Sequence, residues 1–117
     1  MKAHIHIAGR KLALQWESGD NYGTYYHDEK RITLDPVIRD NPEALLETLF
    51  HEMTHAALKI SGVSFGLAEG QEEQIVRCLE QILLPAWNKV QADALKWAVK
   101  AIEDEQTKPE GEHTKKR

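Results

Sequence analysis

The chain of 117 residues holds one cysteine, Cys78. A single thiol closes no intrachain disulfide, so the fold must rest on its apolar core. Cys78 sits in the run "QIVRCLEQILL", where a buried thiol is the expectation. Basic charge is also scarce: the formal net charge is −4, and no positive field suits a nucleic-acid backbone. No apolar run approaches membrane-spanning length. The opening "MKAHIHIAGR" lacks the apolar stretch of a secretion signal. A soluble, cytoplasmic chain with no nucleic-acid or membrane partner is expected. Internal repeats are absent, and 41% apolar residues suffice for one domain with a modest core.

The first third alternates in hydropathy. Ile5 and Ile7, then Leu12, Leu14 and Trp16, fall on every second position, with Ala8-Gly9-Arg10 as a turn between two strands. His4 and His6 take the opposite face of the first strand, as exposed polar positions. "WESGDNYG" is a loop. A second hairpin follows, with strands at Tyr22 to Tyr26 and Arg31 to Leu34 and a turn at His27-Asp28-Glu29-Lys30. Asn41 caps a helix that starts at Pro42 and stops near Ile60, before Ser61-Gly62. "LAEGQEEQIVRCLEQILL" predicts a second helix, ended by Pro85, and "AWNKVQADALKWAVKAIEDE" a third. Trp16, Trp87 and Trp97 are expected to pack in the core or between helices. The expected fold is α+β: a small antiparallel sheet of three or four strands, then three helices, in one domain over residues 1–105. Residues 106–117, His113 included, are a polar tail.

The helix from Pro42 carries "HEMTH". Its apolar residues Leu45, Leu46, Leu49, Phe50, Met53, Ala56, Ala57 and Ile60 make one stripe. His51 and His55 lie about 170° and 150° from the centre of that stripe, by helical geometry. Both therefore project from one side, one turn apart. At i and i+4 two imidazoles can ligate one tetrahedral Zn²⁺. Glu52, about 100° round from His51, cannot easily ligate the same ion. It can reach a water at the open coordination position, take its proton and deliver it to a leaving amine.

"HEMTHAAL" resembles the HExxH zinc metallopeptidases, the zincins. "EGQEEQIVRCLEQILLP" resembles the glutamate-bearing helix of their gluzincin branch. Together with the hairpin "GTYYHDEKRITLDP", the pattern is similar to small metallopeptidase-like proteins of phages and prophages, and more distantly to the ImmA/IrrE type. The resemblance covers about Tyr22 to Pro85. It implies a minimal zincin-like fold, with His51, His55 and one downstream glutamate on zinc and Glu52 as catalytic base.

Which glutamate completes the set stays open between Glu73, Glu69 and Glu72. A third histidine of the HExxHxxGxxH kind is absent. A helical hairpin bending near Val63 brings residues 69 to 73 opposite the histidines and leaves Glu80 too far along. On the second helix Glu72 falls near the centre of the apolar stripe, with Glu69 about 80° and Glu73 about 120° away. An off-centre ligand suits histidines that are themselves off the core stripe, which favours Glu73, as does the family-like "EEQIV". "LAEG" resembles the ligand segment of some larger gluzincins, which favours Glu69, with Glu73 then steadying a histidine. The resemblance further implies that a hairpin strand pairs with substrate backbone. Tyr25 or Tyr26 is available to steady an oxyanion, against the plainer role of cross-strand packing. The expected function is zinc-dependent hydrolysis of peptide bonds in a peptide or protein substrate. The alternative is a non-catalytic zinc-stabilised module that binds a protein, of phage or prophage origin.

Overall fold

The computed structural model describes residues 2–107. β1 (Ala3–Ile7) and β2 (Arg10–Trp16) pair antiparallel from Ala3 opposite Leu14 to Ile7 opposite Arg10. Their two-residue turn holds Ala8 and Gly9 both at positive φ, 51° and 79°. That conformation twists in the same sense as the flanking strands. β3 (Gly23–Tyr26) and β4 (Arg31–Leu34) form the second hairpin, where the Arg31 guanidinium lies 4.1 Å above the Tyr26 ring.

The sheet is mixed, not antiparallel as expected. Its order is β1-β2-β4-β3, and β2 runs parallel to β4, with Leu14 beside Ile32. Residues 17–22 carry the chain past the place of β4 to the sheet edge, so β3 lies outermost and β4 returns between it and β2. Alternation in a strand reports its two faces and says nothing of its neighbours. In β4 even the alternation is lost, because Ile32, Thr33 and Leu34 are all buried.

α1 (Pro42–Ile60) covers one face of this sheet. Asn41 Oδ1 accepts from the Ala44 amide at 3.1 Å, Pro42 supplies a first helical φ without needing a partner, and Gly62 at φ 86° ends the run. Ala56 is fully buried against Leu12, Leu14, Ile32 and Leu34, flanked by Leu45, Leu49, Met53 and Ile60. Ala56 lets the helix axis approach the sheet closely.

Gly23 marks the closest approach of β3 to α1. A Cβ there would stand 2.6 Å from Thr48 Cγ2, 3.2 Å from Glu52 Cγ and 3.2 Å from the Thr33 carbonyl oxygen. Gly23→Ala is expected to destabilise the fold by about 1–3 kcal/mol through overpacking. Chemical denaturation monitored by circular dichroism measures it.

The second helix departs from expectation at both ends. Gly70 at φ 83° delays the start to Gln71, and α2 (Gln71–Cys78) is a short segment. A π turn, Leu79–Leu83, joins it to α3 (Leu84–Thr107), so Pro85 ends nothing. Where i→i+5 bonding reverts to i→i+4, one carbonyl is left without an amide. Proline is the residue that lacks one to give. Two helical stretches therefore follow the sheet, the second a long joined one. Val76 of α2 is fully buried, but Cys78, about 200° further round by helical geometry, is exposed.

The chain divides into two compact units between Ile82 and Leu83. The first contains the sheet, α1 and α2. The second contains α3, where Trp87 and Trp97 are 53% and 62% exposed rather than packed, whereas Trp16 packs against the core of the first unit. Gln106 and Thr107 end α3, and the rest of the expected tail, with His113, lies outside the described residues. Among the described residues no helix is long and apolar enough to cross a membrane.

Candidate metal centre

α1 holds its two histidines side by side, one turn apart, with ring centroids 5.1 Å apart. The next helix runs back past them. Glu73 divides its carboxylate between the rings: Oε1 lies 3.1 Å from His51 Nε2 and Oε2 lies 3.0 Å from His55 Nε2. Each ring is gripped from behind by a different glutamate. His51 Nδ1 donates to Glu80 Oε2, and His55 Nδ1 donates to Glu72 Oε2 at 2.6 Å.

Of the glutamates weighed from the sequence, Glu73 faces both Nε2 atoms, Glu72 holds one ring from its far side, and Glu69 is exposed in the turn before α2. Glu80 is not too far along. The two helices run in opposite directions, so His51, one turn before His55, meets a residue beyond the end of α2, in the π turn. Glu73 and Glu80 are seven residues apart, about 20° short of two full turns, and so share a face. That spacing was the available signal.

His51, His55 and Glu73 each offer a donor atom within 4.8 Å of the other two, and the group could hold a metal ion. A ring that donates from Nδ1 to a carboxylate presents a lone pair at Nε2. Here both lone pairs point at a third carboxylate, which is also an acceptor. Acceptors 3.0–3.1 Å apart need positive charge between them, and one shared cation supplies it to all three groups at once. Two ligands at tetrahedral zinc distances stand about 3.4 Å apart, close to the observed separations. Two imidazoles and a carboxylate are a borderline-soft set that suits zinc better than magnesium or calcium.

The two outer carboxylates fix ring rotation and tautomer. Glu80→Gln keeps the length but loses the anion, and is expected to weaken metal affinity about 10- to 100-fold. Competition against a chromophoric chelator measures this, with Glu69→Gln as the unchanged control.

Glu52, one residue beyond His51, is 8% exposed. Burial pushes its carboxyl above the ordinary range, against the pull of His51 and His55; Glu73 adds to the rise and the Tyr25 backbone amide, hydrogen-bonded to it, opposes it. Glu72 is shifted the other way. Burial would raise it, but hydrogen bonds from Ser64 and His55 and the charge of Lys59 hold it low. Tyr25 and Tyr26 are both committed elsewhere: the Tyr25 hydroxyl bonds His27 Nδ1 at 2.7 Å and the Tyr26 ring lies under Arg31.

These groups line a cleft of about 690 Å³. One wall is β3, through Gly23, Thr24 and Tyr25; the other is α2 and the π turn, through Glu73, Arg77 and Gln81. β3 is the outermost strand, so its free edge borders the cleft. Arg31 to Leu34, the other strand considered for substrate pairing, lies inside the sheet between β2 and β3 and has no free edge. The chain matches no known protein family, no curated protein and no solved structure.

Proposed function

We propose that this protein is a zinc-dependent peptidase. One observation carries it: two imidazole Nε2 atoms converge on the Glu73 carboxylate while each ring is anchored from behind by its own glutamate, and a buried carboxylate stands at the next position of α1. His51, His55 and Glu73 would hold the ion. When bound, zinc acidifies water and polarises a carbonyl oxygen.

The remaining roles fall to the chain itself. Glu52 takes the proton of the attacking water and passes it to the departing amine. Its raised affinity for a proton, caused by burial, brings a carboxylate closer to the basicity that the first of these transfers needs. Glu80 and Glu72 keep the imidazoles in one tautomer and one rotation. The free edge of β3, whose Tyr25 amide already serves Glu52, offers the Gly23 amide and its outward carbonyls to an extended peptide laid along the cleft. The HExxH motif, similar to that of the zincins, supports the same chemistry.

The test is direct. Purified protein is expected to carry one zinc per chain and to cleave members of a mixed peptide library. A chelator removes both properties and added Zn²⁺ restores both. Protein that takes up no stoichiometric metal from excess Zn²⁺ sinks the proposal.

A further inference from the structure

α3 is a helix built to be covered. Trp87, Val90, Ala94, Trp97 and Ala101 recur at alternating spacings of three and four and fall within an arc of about 80°. All five are exposed, the two tryptophans by more than half. A helix of 24 residues with this much apolar surface in water gains little of the tertiary packing on which helices depend.

We infer that α3 is a homodimerisation element, in which the Trp87–Ala101 seam packs antiparallel against the same seam of a second copy. Two features of the seam select this occupant. The first is size. An antiparallel alignment that sets Ala94 against Trp97 of the other copy also sets Val90 against Ala101 and Trp87 against Asp104, so large meets small through the inner layers of the seam. A parallel alignment would stack Trp97 on Trp97 and Ala94 on Ala94, alternately overfilling and emptying the layers. The second is charge. Asp93 and Lys100 flank one side of the seam, and the same antiparallel alignment brings Asp93 of each copy to Lys100 of the other. Two ion pairs form at once. A lipid surface fits less well, because the three lysines of α3, Lys89, Lys96 and Lys100, share their face with Asp93 and Glu103, and the helix carries four acidic residues in all.

Sedimentation equilibrium of the full chain tests this. The wild type is expected at twice the 13.4 kDa chain mass. Asp93→Lys and Lys100→Asp should each weaken the dimer about tenfold, since each replaces two attractive pairs by two repulsive ones. The double variant Asp93→Lys/Lys100→Asp should restore it, a rescue that a parallel pair would not show. Trp97→Glu should give monomer, whereas Leu95→Glu, on the other apolar side of α3, should not. A wild type that stays monomeric at about 100 µM, where a dimer of micromolar affinity would be saturated, overturns the inference. So do single charge variants that associate like wild type, a double variant that fails to recover, a dimer broken by Leu95→Glu and not by Trp97→Glu, or a monomer that floats with lipid vesicles. No outcome depends on metal at His51 and His55.

Discussion

Glu52→Gln is expected to leave the bound metal in place and lower peptide cleavage by about 10²- to 10⁴-fold, the usual contribution of a positioned general base. The substitution keeps shape and hydrogen bonding: the amide oxygen can still accept from the Tyr25 backbone amide, and the packing against Gly23 is unchanged. It removes only the negative charge and the ability to take a proton. Because burial disfavours the charged carboxylate, the neutral variant should be as stable as the wild type or more so. The measurement has three parts: zinc per chain, thermal midpoint, and cleavage rate at saturating peptide. A variant with full zinc and undiminished cleavage would remove Glu52 from the chemistry. A wild type with full zinc and no cleavage on any peptide would favour the non-catalytic binding module instead.

His55→Ala is expected to take bound zinc from one per chain to near zero and abolish cleavage. The loss should exceed that of one ligand in three. Without the ring, Glu72 loses its imidazole partner and Glu73 keeps one imidazole, that of His51, beside Arg77. A thermal measurement separates this from misfolding. Added zinc should stabilise the wild type by about 4 kcal/mol at a thousandfold excess over the dissociation constant. The same zinc should leave the melting of His55→Ala unmoved. If that variant responds to zinc as the wild type does, the ion is held elsewhere.

What could be read in the sequence was local. α1 was legible from Asn41 and Pro42 to Gly62, because caps and a 3.6-residue period act within a few residues of chain. The same arithmetic put His51 and His55 on one side of it. The hairpins were legible as strands and turns, but not the place of β4. Parallel pairing of β2 with β4 depends on the path of residues 17–22, which no local pattern encodes. Pro85 misled because a helix-ending rule assumes α bonding throughout, and the π turn at Leu79–Leu83 removes that premise. Counted from the bend near Val63, Glu80 is too far along, but the relevant distance is to His51, farther back along α1, which the π turn reaches. Trp87 and Trp97 were expected to be packed because large aromatics usually are.

The metal group bears on the order in which the chain folds. Every candidate ligand and both anchoring glutamates lie between His51 and Glu80, in one helical hairpin, and the sheet supplies none of them. Bringing His55 to Glu73 closes 18 residues of chain, the same separation that sets Ala13 beside Arg31, so loop-closure entropy alone favours neither contact. An ion that cross-links α1 to α2 adds a term that only the helical hairpin has, and so makes that hairpin the nucleus. The strands would then assemble onto a helix already held in position.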